Sequence, residues 1–243
     1  PSASRLFDAI DVTWPALRTF TVGGWTLRDG GGGGKRASAA TLDDPKAVIS
    51  EAEAQQNALG QDLLFMIRTD GDTFPADQTL DKSLENQGYR VIDPVNLYAC
   101  PIAMLVPDQL PISMSYPIWP PVQVQRDIWN AGGIGPARVD LMHRCQGSHS
   151  AILARHDDTP SGVGFVALDG DIAMIHAVEV LAANRRQGVA RLVMDHAATW
   201  AQAQGAKWMA LATTRDNVAA NALYQSLGMT NVGQYHYRIK DAL

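Results

Sequence analysis

The sequence predicts an α/β fold, in which helices cover a mixed sheet, and three observations support this. Apolar residues make up 46% of the chain and charged residues 19%, so the chain can bury a core. Short apolar runs such as 63–67 have the length of buried strands, and they alternate with segments of helical apolar spacing such as 187–204. Glycine and Asp-Gly turn signals separate these segments. This alternation favours an α/β layer structure over an all-α or all-β one.

Prolines cluster in the middle of the chain. They stand at positions 101, 107, 111, 117, 120 and 121. Because proline lacks a backbone N–H and blocks helix, regular structure is expected to be interrupted here. The sequence therefore predicts two domains, residues 1–110 and residues 122–243, joined by a proline-rich linker at 111–121.

The first domain is expected to run strand, strand, helix, strand, helix, strand. The segments are strands at 24–28 and 36–41 joined by the glycine run 30–34, a helix that opens at 43–45 and ends at Gly60, a strand at 63–67, a helix at 77–86 and a strand at 91–98. The glycine run does not match a phosphate-binding P-loop. Asp29 stands where the first glycine is needed and Arg36 where the hydroxyl is needed, so a flexible connection is expected.

The second domain shows more strands. The segments are helices at 125–130 and 137–144, strands at 150–155, 162–168 and 171–180, a long helix at 187–204, a strand at 207–213, a helix at 217–227 and a final strand at 233–239. Asp169 and Gly170 form a two-residue hairpin signal between two of these strands. Gly205 is the expected end of the long helix.

The most informative stretch joins the strand at 171–180 to the long helix. Backbone N–H groups at the start of a helix have no partner within it, and they lie at its positive end. A phosphate or pyrophosphate can therefore accept hydrogen bonds from residues 187–190. Gly188 and Ala190 keep side chains out of the way, and Arg185 and Arg186 add positive charge. The segment predicts an anion site, with an ordinary strand-to-helix turn as the alternative.

Two motifs resemble the GNAT acetyltransferase superfamily. The family's acyl-CoA loop, Arg/Gln-x-x-Gly-x-Gly/Ala after the fourth strand, is similar to RRQGVA at 185–190. Its later motif, an asparagine and then a helix that ends in Tyr-x-x-x-Gly-aromatic, is similar to NVAANALYQSLGM at 217–229, with Met229 in place of the aromatic. The resemblance covers residues 122–243 and implies a GNAT-like fold for this domain.

The first domain resembles the degenerate copy that precedes a working domain in some tandem GNAT proteins. The pattern is WTLR at 25–28, the glycine run, and KRASA at 35–39, without a counterpart of the acyl-CoA loop. The segments 84–89 and 224–229 also end a helix in the same way, with glycine and then a large apolar residue. A tandem arrangement is therefore a hypothesis.

The resemblance implies an N-acetyltransferase that moves an acetyl group from acetyl-CoA to a primary amine by direct attack. The amine could be carried by a small molecule or a peptide. Tyr224 is similar to the family's usual acid for the leaving thiolate. The implied acetyl-CoA contacts are Val178, Val180, Arg185, Arg186, Gln187, Gly188, Val189, Ala190, Asn217 and Ala220. The alternative is a non-catalytic acyl-CoA-binding or regulatory module.

The base that accepts the amine proton is open at this stage. Glu179 and His176 lie on the strand beside the expected thioester, but strand alternation places them on opposite faces unless a bulge intervenes. A base acting through water is equally allowed. The acceptor is expected between the two domains, near Trp25 and Arg28 or near Trp119 and Trp129.

Composition excludes several other classes. A net charge of −5 argues against a nucleic-acid partner. The longest apolar stretches fall far short of a membrane span, and residues 1–13 do not resemble a signal peptide, so no membrane partner and a cytoplasmic location are expected. Cys100 and Cys145 lack the paired spacing of a zinc site, and no metal is expected.

Overall fold

The computed structural model describes residues 1–69, 74–111 and 114–240. The helices are α1 Ala3–Thr13, α2 Ile49–Ala58, α3 Pro75–Asn86, α4 Gln123–Ala131, α5 Pro136–His143, α6 Val189–Ala203 and α7 Val218–Ser226. The strands are β1 Arg18–Val22, β2 Trp25–Asp29, β3 Thr41–Leu42, β4 Leu63–Thr69, β5 Arg90–Pro101, β6 Ser115–Ile118, β7 His149–His156, β8 Thr159–Asp169, β9 Ile172–Val180, β10 Trp208–Thr214 and β11 Thr230–Lys240. The α/β class predicted from the sequence is confirmed.

Most strands join one mixed sheet of eight. Its order is β4-β11-β5-β10-β9-β8-β7-β6, and β1, β2 and β3 form a separate small sheet. Only β9 and β10 pair in parallel among these eight strands, and the α6 crossover connects them. Helix α6 covers one face over β7, β8 and β9, and α1 packs on the opposite face against β8, β9 and β11. The strands at the centre are therefore buried on both faces.

The two halves of the chain interleave within this sheet. Strand β11, from the end of the chain, lies between β4 and β5, and β5, from the first half, lies between β11 and β10. Helices α3 and α7, which precede these two strands, end with the same hydrogen bonds: Tyr89 N–H donates to Leu84 O, and Met229 N–H donates to Tyr224 O. The division into domains at 1–110, 111–121 and 122–243, and the duplication, stay predictions, although both halves share a sheet.

The first half departs from the sequence prediction in four places, one of which is strand β1 at Arg18–Val22, which has no predicted counterpart. The predicted strand at 36–41 is wrong, because residues 35–37 form a 3-10 turn and only Thr41–Leu42 are extended. The predicted helix start at 43–45 is also wrong. Asp44 instead accepts hydrogen bonds from the N–H groups of Lys46 and Ala47, which makes a turn, and α2 begins at Ile49. Helix α1 has no counterpart in the sequence prediction, although Ser2 caps it.

The proline-rich segment contains more structure than expected. Residues 115–118 form β6, which pairs with β7 and, within the described ranges, has no strand on its other side. An edge strand tolerates Pro117 because a missing N–H on the free side breaks no ladder hydrogen bond. Among the described residues, no helix combines the length and apolar character needed to cross a bilayer. The cytoplasmic location stays a prediction.

Candidate active site

The sheet opens between β9 and β10. The two strands pair over four residues, from Ile172 with Trp208 to Ile175 with Leu211, and their pairing ends there. Beyond that point β10 continues to pair with β5 as far as Thr214, whereas β9 continues to Val180 alongside β8 only. The last five residues of β9 therefore have a free edge that faces the opening.

A bulge lies on β9 at the start of this free edge. Ala177 has a φ of 52°, and the register with β8 shifts between His176 and Glu179. The extra residue changes which side chains share a face. Before the bulge Ile175 packs in the core under α6, and after it Val178 and Val180 do. His176 and Glu179 consequently lie on the same face of the sheet, opposite α6.

The loop after β9 presents a run of free backbone donors. Helix α6 begins at Val189, two residues later than predicted, and its N-cap Gly188 has a φ of 80°. No residue of the described chain accepts a hydrogen bond from the N–H groups of 187–190. Residues 185–188 are exposed, and the half-buried Ala190 and the buried Val189 side chains pack in the core beneath them. Four consecutive N–H donors at the positive end of a fifteen-residue helix thus have no acceptor among the described residues.

Arg185 connects this loop to the strand. Its Nε donates to Val180 O at 3.1 Å, and its Nη2 donates to Glu179 Oε1 at 3.1 Å. Arg186 is exposed beside it with a φ of 62°. Gln187 donates from Nε2 to Ala183 O. The loop therefore combines positive side-chain charge with free N–H groups.

Tyr224 lies on the α6 side of the opening. Its ring is buried in the same core cluster as Val180, with Ala220 packed beside it, and its centroid is 6.1 Å from that of Tyr98. Its hydroxyl has no hydrogen-bond partner among the described residues, and burial raises its pKa to about 12. The phenol is therefore protonated throughout the neutral range. Asn217 has a structural contact, because its Oδ1 accepts from Ala220 N at 3.1 Å and caps α7.

His176 is enclosed on the opposite face. Its Nε2 is 2.9 Å from Thr13 Oγ1, and its Nδ1 is 3.2 Å from a guanidinium nitrogen of Arg36. Thr13 gives its only hydroxyl proton to Ala9 O, so Nε2 is the donor of the first pair and Nδ1 accepts from Arg36. Burial, and then the charge of Arg36, hold the pKa of His176 well below its ordinary value. The ring is thus neutral with both nitrogens engaged.

Glu179 is more accessible than His176. Its side chain is 18% exposed and lies against the end of α4, where only the absence of a side chain on Gly132 leaves room for the carboxylate. Trp129, also on α4, donates from Nε1 to Ala177 O at 2.8 Å and so fixes the bulge against the helix. Oε2 of Glu179 accepts from no described residue, since Arg185 uses Oε1. One carboxylate oxygen is therefore available beside the bulge.

A cavity of about 280 Å³ lies on this face at the mouth of the opening. Its lining comes from seven separate parts of the chain: Trp14, Gly33, Gly34, Lys35, Arg36, Asp93, Val95, Ile134, Arg138, His176, Ala177, Thr214, Tyr235 and Tyr237. Sequence reasoning did not assign any of these residues except His176 to the site. The glycine run, expected to be only a flexible connection, forms one wall.

The residues expected near the acceptor lie elsewhere. Trp25 is fully buried and Arg28 is 6% exposed, with the guanidinium paired to Asp11. Trp129 is buried and holds the bulge, and Trp119 packs against the His149 ring. None of the four lines the cavity. Within the described ranges, no three His, Cys, Asp or Glu side chains converge as metal ligands.

Comparison with known proteins agrees with this geometry. The sequence profile of the Acetyltransferase (GNAT) family matches residues 118–229. The chain is 23% identical over 240 residues to the uncharacterized N-acetyltransferase YobR of Bacillus subtilis, covering 94% of both chains. Its fold is similar to that of a GCN5-related N-acetyltransferase from Kribbella flavida, with a TM-score of 0.73, 17% identity, and 99% and 96% of the two chains covered.

A further structural relative contains two such domains. It is described as a tandem GNAT protein from the clavulanic acid biosynthesis pathway, and the fold matches with a TM-score of 0.60 at 12% identity, over 83% of this chain and 74% of that one. These likenesses at low identity establish the fold. The family match covers the strands and helices that build the opening, so residues 118–229 form a GNAT acetyltransferase domain, and the chain is an acyltransferase.

Proposed function

We propose that the protein transfers an acetyl group from acetyl-CoA to a primary amine. One observation carries the proposal: the free edge of β9 leads directly into four unpaired N–H groups at the start of α6. An extended amide chain can pair with the edge, and a pyrophosphate can accept from the N–H groups. The order of these two features along the chain matches the order of pantetheine and pyrophosphate in coenzyme A.

The residues present fit such a donor. The backbone of Val178 and the N–H group of Val180 lie on the side that β10 vacates and are suited to pair with pantetheine amides, whereas Val180 O already accepts from Arg185 Nε. The N–H groups of 187–190, with Arg185 and Arg186, are suited to hold the phosphates. Ala220 would contact the pantetheine from α7, and Asn217 would act through the helix that it caps. Bound there, acetyl-CoA supplies a thioester carbonyl as the electrophile.

Glu179 is proposed as the base on the acceptor face. An amine must lose a proton as it attacks a carbonyl, and a carboxylate within reach can accept it directly or through one water. The bulge at Ala177 places Glu179 on the face where the cavity opens, and its Oε2 is free of partners among the described residues. His176 is the weaker candidate, because Arg36 occupies the lone pair that a base needs.

Tyr224 is proposed as the acid on the donor face. The departing thiolate of coenzyme A needs a proton, and a phenol with a pKa of about 12 holds one at neutral pH. Its free hydroxyl makes no competing hydrogen bond within the described chain. Base and acid thus lie on opposite faces of the sheet, and the opening between β9 and β10 connects them.

Titration calorimetry with acetyl-CoA is the first test. We expect saturable binding at one site per chain, because only the second half has the 185–190 loop. An amine panel with detection of released thiol then tests transfer. If acetyl-CoA binds but no amine in the panel leads to release of coenzyme A, a non-catalytic acyl-CoA-binding module is favoured. If acetyl-CoA does not bind, the assignment of the loop is contradicted.

A further inference from the structure

We infer that the acceptor is a small amine that also carries an oxyanion, a carboxylate or a phosphate, which Arg36 and Arg138 bind. This inference rests on the proposed function and names the substrate class of the same site. Arg36 and Arg138 both line the cavity that opens at the β9 bulge. A volume of about 280 Å³ fits a small molecule rather than a folded protein surface.

The charges around the cavity do not cancel. Lys35 and Asp93 form an ion pair at 2.9 Å and neutralise each other. His176 is neutral, and Tyr235 and Tyr237 line the remaining wall as phenols. Arg36 and Arg138 have no carboxylate partner among the residues that the structure describes, so the cavity has two uncompensated positive charges.

Glu179 does not supply the missing negative charge. It lies beside the bulge rather than in the cavity wall, and Arg185 already pairs with it at 3.1 Å. A guanidinium in a partly enclosed site is stabilised most by an oxyanion that accepts two hydrogen bonds. The acceptor is therefore the natural source of that anion.

Neutral groups hold Arg36 in place, and Arg138 lies beside the glycine run. Arg36 donates from Nε to the Tyr235 hydroxyl at 3.1 Å and from Nη1 to His176, so these contacts orient the guanidinium and leave its charge unbalanced. Arg138 lies across the glycine run, where a Cβ on Gly34 would be 3.2 Å from its Nε and Nη2. A side chain on Gly34 would crowd the guanidinium, and glycine leaves it room beside the cavity.

The same charges act on the amine. Two nearby guanidinium groups disfavour the ammonium form of a bound amine, since like charges lower the pKa of a cationic acid. The neutral amine is the nucleophile, so the cavity assists deprotonation towards Glu179. A simple cationic amine without an anionic group would be repelled, whereas the oxyanion of a charged acceptor offsets this repulsion.

Matched pairs of amines test the inference. The pairs are 4-aminobutyrate with 4-aminobutanamide, and O-phosphoethanolamine with ethanolamine, and they separate carboxylate from phosphate. We expect the member that carries the oxyanion to have a kcat/KM about tenfold or more above that of the partner that lacks it. Arg138→Gln should abolish most of that preference and leave acetyl-CoA binding intact. Lys82→Gln, an equal change of charge at an exposed site on α3, should preserve the preference.

Binding gives a second readout that does not depend on turnover. Calorimetry of the same pairs, with coenzyme A present, should show tighter binding of the member with the oxyanion to the wild type and loss of this difference in Arg138→Gln. Equal binding of the members with and without the oxyanion, or a preference that survives Arg138→Gln, would overturn the inference. Failure of the wild type to bind acetyl-CoA would instead overturn the proposed function, so the two failures are distinguishable.

Discussion

The two faces of the sheet at the β9–β10 opening are built in different ways. On the α6 face, the proposed donor site consists of backbone N–H groups from one short loop and apolar side chains from the helices that follow it. On the opposite face, the cavity is lined by residues from seven separate parts of the chain, including charged and aromatic side chains. The α6 face is suited to a ligand that stays the same when side chains change. The binding preference of the opposite face can change with each side chain that lines the cavity.

The two faces should therefore respond differently to changes of side chain. Backbone donors at a helix start do not depend on side-chain identity, apart from the glycine that the conformation needs. The acceptor wall, in contrast, includes the glycine run and Trp14 from the first half of the chain. The first half therefore shapes the acceptor side of the site, whether or not it is a degenerate copy of the second.

Replacing Glu179 with Gln gives the largest expected effect. Loss of a general base typically lowers the rate by about 10²–10⁴-fold, so kcat should fall by at least about 100-fold while the acetyl-CoA Kd changes little. Steady-state kinetics and calorimetry measure the two quantities. Glu85→Gln, at an exposed position on α3, is the matched control and should retain activity.

The same experiment discriminates between the two bases on this face. His176→Gln keeps a donor for Thr13 and should lower kcat less than Glu179→Gln does. If His176→Gln instead removes the acidic limb of the pH–rate profile and Glu179→Gln leaves it, the imidazole is the base and the role proposed for Glu179 is wrong.

Tyr224→Phe tests the donor face and should have the next largest effect. We expect kcat to fall by about 10–100-fold with unchanged acetyl-CoA affinity, since only the proton for the thiolate is lost. With a pKa of about 12, the wild-type phenol should produce no loss of rate on the alkaline side below about pH 11. Tyr116→Phe, on the edge strand β6, is the control, and full activity in Tyr224→Phe would contradict the acid role.

Gly188→Ala tests the backbone donors. Alanine at a φ of 80° is strained by about 1 kcal/mol, and its Cβ would project where the phosphates are expected, so the acetyl-CoA Kd should weaken by about tenfold. Gly88→Ala is closely matched, because Gly88 has a φ of 84° and an equally open surrounding. Both variants should lose similar stability in urea. If Gly188→Ala and Gly88→Ala bind acetyl-CoA with equal affinity, the 185–190 loop is not part of the binding site.

The contrast between the faces also decides what the sequence could predict. The acyl-CoA loop and the α7 motif are contiguous, so helix-start chemistry predicts an anion site at Gly188, and the family resemblance implies the role of Tyr224. The bulge at Ala177 has no such signal, since nothing in the local sequence marks an alanine with positive φ. Arg36 and Arg138 meet only through tertiary packing, and Arg36 lies in a 3-10 turn rather than in the predicted strand.

Stability at mild acid provides the smallest expected effect and concerns the acceptor face. Burial, and then the charge of Arg36, lower the pKa of His176 in the folded state. As the pH falls below about 6.5, the histidine becomes protonated in the unfolded chain but stays neutral in the folded chain. The stabilising contribution is complete above pH 6.5 and declines as the pH falls towards the lowered folded-state pKa. Between pH 6.5 and 5.5 this amounts to about 1 kcal/mol.

His176→Gln should remove that pH dependence, because an amide does not titrate. Urea unfolding of both proteins at pH 8.5, 7.5, 6.5 and 5.5 measures it, and the two curves should run parallel above pH 7.5, where the histidine is neutral in both states. A wild-type curve that stays parallel to the variant's down to pH 5.5 would mean that His176 protonates freely in the folded protein. That would leave the Nδ1 lone pair available and restore His176 as a candidate base beside Glu179.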